Sequence, residues 1–303
     1  MPEGVEVEYA RRLIEERALG RKIAGIDAPD AWYLKRGLTA AALEPALTGH
    51  QLSAARRLSE ALPGQAIESV MTPGINVLKT FDPPLSALEG ATIADVRRRG
   101  KLLLLDTDRA GPTLGLHLGM SGRVLVDDHA AGDPLIYGSN RENPVWHRFT
   151  LHFADGGSLA MRDPRRLGAV ELDPDEERLG PDAFEVTQAE LDHVLTRSRA
   201  PVKAVLLDQS RIAGLGNLLV DEVLWRAGID PARPARELDR NERRRVYRAV
   251  RRTLQLTLER GGSHTGDHMA QRFAGGVCPK DGTPFERRTV AGRTTFSCPQ
   301  HQR

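Results

Sequence analysis

The chain has 303 residues, is 40% hydrophobic and 28% charged, and carries a formal net charge of +2 with two cysteines. That length holds two domains with cores of their own. No apolar run is long enough to span a bilayer, the acidic start is not a signal peptide, and two cysteines make no disulfide framework and suit a reducing cytosol.

The chain begins MPEGVEVEYARRL. One reading is a helix start: Pro2 early, Glu3 and Glu6 in the first turn, then an apolar face of Val7, Ala10, Leu13 and Ile14. The other is that the terminus is itself a reagent: loss of Met1 leaves Pro2 as a free secondary amine with Glu3 beside it as proton donor. After this helix, which ends near Gly20, strands and turns run to about residue 185. The clearest strands are 101–106, 113–118, 123–126, 149–153 and 158–161, punctuated by Gly, Asp and Pro as in a β-sandwich. Within this part, a stretch from Arg11 is echoed from Arg56. Gly20 answers Gly64, Pro29 answers Pro73, and Leu34-Lys35 answers Leu78-Lys79. The pattern predicts an internal duplication, about 11–57 and 56–98, long enough to be a structural unit.

From about Thr187 the pattern becomes helical, with helices expected near 188–197, 201–208, 217–228 and 237–260. The stretch 273–303 returns to short strands and turns around Cys278 and Cys298. Charge follows this division. Ala232 to Arg303 carries 16 Lys+Arg against 7 Asp+Glu, a net of +9, while the rest of the chain has a net of −7. A basic C-terminal part on an acidic body points to a polyanion, most simply nucleic acid. The competing reading is that Arg243, Arg244, Arg245, Arg248, Arg251 and Arg252 form a solvated helix face.

Four stretches line up with the N-terminus: RRRGKLLLLD, HLGMSGRVLV, RDPRRLGA and DQSRIAGLGNLLVDEVLWRAGIDP. With the MPEG start and the terminal CPKD…CPQH, their order and separation resemble the formamidopyrimidine-DNA glycosylase/endonuclease VIII family, closer to its endonuclease VIII-like members. The resemblance implies an α+β multidomain fold. Residues 1–185 would form a catalytic N-terminal helix plus β-sandwich, 186–262 a helix–two-turn–helix DNA-binding domain, and 263–303 a zinc-ribbon-like β-hairpin. It also implies a bifunctional DNA glycosylase and abasic-site lyase of base excision repair. Such an enzyme acts on double-stranded damaged DNA as a monomer, in the cytoplasm at the nucleoid.

The residue types suit that chemistry. Breaking an N-glycosidic bond needs a nucleophile at C1′ and a proton donor. An α-amino group titrates near 7.7–8.0, so a terminal Pro2 is partly unprotonated at neutral pH. Glu3 would protonate the opening sugar, and Glu6 would orient the terminus or remain a helix-start acid. Lys101 matches the family's hairpin lysine at the start of a strand, reaching a phosphate or the sugar. His117, Met120 and Arg165-Arg166-Leu167 resemble the apparatus that fills the hole left by an extruded base. Met120 also reads as plain core packing.

In the GLGN turn, Asn217 would donate to a phosphate, cap the following helix, or do both. Lys203 is a further phosphate candidate, and Glu222 would brace the N-terminal site. Arg293, between the knuckles, matches the family's phosphate-contacting arginine. Cys278, Asp281, Cys298 and His301 would hold a structural zinc ion. The family usually places cysteines at all four positions. A metal-free Asp281-Gly282 turn is the competing reading, with His264 or His268 as a replacement ligand.

An aromatic residue is common after the paired arginines in the 8-oxoguanine branch, and Leu167 stands there. The connection after the long helix is short. Both features, with MPEG, point to oxidised pyrimidines. A non-catalytic damaged-DNA-binding protein, or a glycosylase for bulky adducts or crosslinks, is the alternative.

Overall fold

A computed structural model of the chain describes residues 2–29, 85–108, 110–133 and 143–303. Most of the expected duplication lies outside these residues.

Helix α1 (Gly4–Arg17) starts where Glu3 leaves the extended region, and the Glu6 carboxylate accepts the Glu3 N–H at 2.7 Å. Its apolar residues point two ways. Val7, Ala10, Leu13 and Ile14 enter the core of a β-sandwich, whereas Val5 enters a separate helical core. The helix therefore ties two hydrophobic units together at its first turn, where Glu3 and Glu6 sit.

The strands are β1 (Ile23–Asp27), β2 (Ile93–Arg99), β3 (Leu102–Thr107), β4 (Leu114–His117), β5 (Arg123–Val126), β6 (His129–Ala130), β7 (His147–Phe153), β8 (Ser158–Arg162) and β9 (Ala169–Leu172). They form two antiparallel sheets, ordered β1-β7-β8-β5-β6 and β2-β3-β4-β9. Each buried Leu, Ile, Val or Phe between the sheets contributes roughly 1.5–3 kcal/mol. Leu102 to Leu105 are buried on both faces of β3, so this strand reads as an unbroken apolar run. The expected strands at 101–106, 113–118, 123–126, 149–153 and 158–161 are present within a residue or two.

The helical part holds α2 (Gln188–Thr196), α3 (Val202–Leu207), α4 (Asn217–Ala227) and α5 (Arg240–Arg260). The last begins three residues later than its apolar pattern implied. The Asp239 carboxylate accepts the Glu242 N–H at 2.8 Å and fixes the start, and residues 235–237 form a separate 3-10 turn. Gly228 (φ 70°) ends α4 in the left-handed conformation that favours glycine. Helix α4 is buried along most of its length, with Leu219, Val220, Val223 and Leu224 in the helical core.

Strands β10 (Glu286–Val290) and β11 (Arg293–Ser297) make the C-terminal hairpin. It joins α4 through a small core of Trp225, Cys278, Phe285, Phe296 and Cys298.

Candidate active site

The start of α1 meets the start of α4. Glu3 is fully buried, and its carboxylate accepts the N–H groups of Gly216 (2.9 Å), Leu218 (2.9 Å) and Leu219 (3.1 Å). These are unpaired donors of the first turn of α4, where the helix dipole favours an anion. Gly216 is required here, because a Cβ would overlap the Glu3 carboxylate. The Gly4 N–H donates to the Gly214 carbonyl at 2.8 Å and completes the junction. Burial raises the Glu3 pKa above its usual value; the Lys101 charge opposes this and the Glu6 charge adds to it. Pro2 is buried beside Glu3. Glu6 spans the same gap from the other side, accepting the Ser263 N–H at 2.7 Å from the segment after α5.

Lys101 stands at the turn into β3. Burial lowers its pKa, and the charges of Glu3 and Glu6 oppose that shift. The preceding Gly100 (φ 60°) packs so closely on Ala213 and Gly214 that any side chain there would collide. Arg98 and Asp182 anchor this turn. Asp182 takes both guanidinium ends of Arg98 and the Gly100 N–H at 2.6 Å, and Glu8 accepts from Arg98 Nε at 3.2 Å. Pro2, Glu3, Glu6 and Lys101 thus share one junction between sandwich and helices.

The second set of expected residues forms an exposed edge. Met120 is 38% and Leu167 46% exposed, and His117 lies at the exposed end of β4. Core packing is excluded for Met120. Two turns carry these residues and touch backbone to backbone, since a Cβ on Gly119 would overlap the main chain of Leu167 and Gly168. Asp163, fully buried, organises the second turn. It accepts the N–H groups of Arg165 (3.1 Å), Leu167 (2.9 Å) and Gly168 (2.8 Å), and the Ser121 hydroxyl at 2.5 Å from the first turn. Arg166 (φ 56°) is held left-handed within it. Arg165 is exposed. Asp163 lies inside the quoted RDPRRLGA stretch, but its acidic side chain carried no assigned role.

At the opening of α4, Asn217 is the first helical residue and Gly216 is the cap, so capping is not the task of Asn217. Its Nδ2 donates to the Thr294 carbonyl at 3.0 Å. Lys203 departs from expectation. It is fully buried, donating to Asp221 Oδ1 (2.6 Å), Thr295 Oγ1 (2.7 Å) and the Thr294 carbonyl (3.3 Å). These contacts occupy the ammonium internally, so Lys203 braces the hairpin and presents no charge to a phosphate. Arg293 opens β11 with its side chain exposed, and its charge is felt at Lys101. Glu222 is buried and accepts from Arg226 (2.7 Å) and from the N–H groups of Asp267 (3.1 Å) and His268 (2.8 Å). It supports the segment that reaches Glu6 through Ser263.

At the far end of α4, the ligand atoms of Cys278, Asp281, Cys298 and His301 lie within 4.8 Å of one another. The surroundings prepare this group for a cation. His301 Nε2 donates to the Trp225 carbonyl at 2.9 Å, which leaves Nδ1 as the lone-pair nitrogen, 3.4 Å from Cys278 Sγ and 3.3 Å from Asp281 Oδ2. Trp225 Nε1 donates to Cys278 Sγ at 3.3 Å and fixes the sulfur in the group. Asp281 both accepts the Thr283 N–H in its turn (2.9 Å) and faces Cys298 Sγ (3.3 Å). His268 points elsewhere, to the Phe296 carbonyl, and His264 lies beside Asp133, so neither replaces Asp281. Two sulfurs, one nitrogen and one carboxylate oxygen fit a closed tetrahedral site.

Comparison with known proteins agrees with this layout. The family model described as the formamidopyrimidine-DNA glycosylase H2TH domain matches residues 179–268, and that of the N-terminal domain matches 1–62 and 53–170. The formamidopyrimidine-DNA glycosylase of Thermus thermophilus is 37% identical over 241 residues, covering 71% of this chain and 84% of the relative. That of Rhizorhabdus wittichii is 33% identical over 272 residues, covering 82% and 96%. Among solved structures, Lactococcus lactis formamidopyrimidine-DNA glycosylase bound to DNA with an abasic site superposes with a TM-score of 0.71 at 27% identity, covering 99% of each chain.

Proposed function

The chain belongs to the formamidopyrimidine-DNA glycosylase family, a DNA glycosylase of base excision repair, and from that premise we propose that it excises oxidised bases and then cleaves the strand, with Pro2 as nucleophile. The observation that carries this reading is the Glu3 carboxylate, buried beside Pro2 with its pKa raised and no cation in contact with it among the described residues.

The geometry supports the following chemistry. With Met1 removed, the neutral Pro2 nitrogen attacks C1′ of the damaged nucleotide. The C1′–base bond breaks, the electron pair leaves with the base, and the base takes up the proton that the Pro2 nitrogen gives up. Glu3, protonated more readily than a solvated glutamate, donates a proton to the opening sugar. The resulting iminium acidifies C2′, whose proton is removed, and the 3′-phosphate leaves by β-elimination. A second elimination expels the 5′-phosphate. Water then hydrolyses the iminium and frees Pro2. Glu6 accepts the Glu3 N–H and the Ser263 N–H and so fixes the terminus against the far segment. Lys101, its pKa lowered by burial, faces the same junction for a phosphate or sugar oxygen.

Met120 and Leu167 would enter the space left by the extruded base, with His117, Arg165 and Arg166 along the same edge. Arg293 and Asn217 would hold phosphates on either side of the Thr294 peptide. A zinc ion in the group Cys278, Asp281, Cys298 and His301 would tie together the two segments that flank the hairpin, beside Trp225 of α4, and takes no part in the reaction. About one zinc per chain is expected in freshly purified protein, lost in Cys278→Ser.

Oxidised pyrimidines remain our preferred lesion class, on Leu167 and on the short connection between α5 and Cys278. The solved relatives include the Lactococcus enzyme with DNA containing an oxidised pyrimidine and with DNA containing FAPY-dG. Duplexes with each lesion, compared at equal enzyme, test that preference.

The deciding experiment for the nucleophile is borohydride trapping on abasic-site DNA. Untagged protein should give a covalent adduct, and a retained N-terminal tag should abolish it. A tagged protein that still traps would overturn the mechanism.

A further inference from the structure

One carbonyl in the molecule collects three side-chain donors. The Thr294 oxygen accepts from Asn217 Nδ2 (3.0 Å), Arg272 Nη2 (3.0 Å) and Lys203 Nζ (3.3 Å). Two of these donors share a buried carboxylate: Asp221 Oδ1 takes Lys203 at 2.6 Å and Oδ2 takes Arg272 Nε at 2.9 Å. The Arg272 guanidinium also lies 5.2 Å from the Phe296 ring centroid. Its side chain is 8% exposed, so it spends its charge inward.

The three donors come from three parts of the chain. Lys203 is on α3, Asn217 opens α4, and Arg272 lies in the short connection after α5. They converge on the peptide next to Arg293, which follows the tight Ala291-Gly292 turn. A phosphate clamp built from Asn217 and Arg293 needs a fixed distance between a helix and a hairpin that are otherwise joined far away, around Trp225. A misplacement of about 1 Å in such a clamp is costly.

We propose that Arg272 is a positioning residue for DNA binding: with Asp221 and Lys203 it locks the Thr294 peptide onto the first turn of α4 and so sets Arg293 relative to Asn217. This inference rests on the reading of Arg293 as a phosphate contact. Arg272 itself touches no DNA. The short connection therefore acts as a strut between helix and hairpin.

The test uses the full-length, metal-loaded protein and a labelled duplex carrying a tetrahydrofuran abasic analogue, titrated over a range of salt. Arg293→Ala should flatten the dependence of log K on log salt by about one phosphate contact. Arg272→Gln leaves Lys203 on Asp221, which protects the fold. It should flatten the slope by a similar amount and weaken binding about tenfold, with Arg272→Lys recovering part of the loss. In the Arg293→Ala background, Arg272→Gln should add less than about a twofold loss, because both changes remove the same contact. For cleavage of a natural abasic site the loss should fall on KM more than on kcat.

Independent, multiplying effects of the two substitutions would overturn the strut. So would a wild-type salt slope in Arg272→Gln measured well below its melting temperature. A wild-type slope in Arg293→Ala would instead overturn the phosphate reading beneath it, and the strut with it.

Discussion

Two buried carboxylates lie one turn apart at the head of α4, and they are held in opposite ways. Glu3 accepts three backbone N–H groups and has no cation within ion-pair distance among the described residues. Asp221 is gripped by Lys203 and Arg272. Burial raises the pKa of both, and at Asp221 two cations at hydrogen-bond distance oppose it. The contrast separates two uses of a buried acid. Amide donors and a helix dipole stabilise charge only in part, which suits the proton transfer that the proposed mechanism asks of Glu3. Two cations at hydrogen-bond distance grip Asp221 from both oxygens, which suits a fastening.

Glu3→Gln is the largest expected effect and the strongest way to break this contrast. Base excision in single-turnover assays should fall about 10²–10⁴-fold, while cleavage of a pre-formed abasic site falls much less. Equal losses in both assays would make Glu3 a fastening like Asp221. The pH profile sharpens the same point. In the proposed mechanism the protonated carboxyl is the donor, and a raised pKa keeps it protonated to higher pH than a solvated glutamate. Excision should therefore carry an alkaline-side loss centred above the ordinary value of 4.5 and absent from Glu3→Gln.

Asp221→Asn should act on stability instead. Leaving Lys203 and Arg272 buried without their anion costs about 3–5 kcal/mol, read as a lower urea midpoint at unchanged m-value. A variant as stable as the parent would show that the pair adds nothing beyond what hydrophobic packing supplies.

Much of the site was legible in the chain. The motifs singled out Pro2, Glu3, Glu6 and Lys101, which meet at one junction, and Met120 and Leu167, which lie on an exposed edge. The Cys278, Asp281, Cys298 and His301 spacing also closed on itself. What stayed hidden were partners distant in sequence or made of backbone. Asp163 works through main-chain N–H groups, which residue types do not advertise. Arg272 reaches Asp221 across 51 positions. Lys203 carried a signal that went unread: it lies three residues before Leu206, a buried residue of the same short helix, so helical phase turns it inward. Lysine's usual preference for solvent was the weaker guide.

The contact between Glu3 and Leu219 joins residues 216 positions apart. In time, this means that the acid is synthesised long before the amides that hold it. At about 5–20 residues per second, roughly 10–40 s separate the two on the ribosome. Throughout that interval Glu3 lacks the amides of Gly216, Leu218 and Leu219 that hold it in the folded chain. The junction of α1 with α4 is therefore a late product of translation: it assembles only when the helical half has emerged, so a truncated nascent chain carries Pro2 and Glu3 without the amides that enclose them.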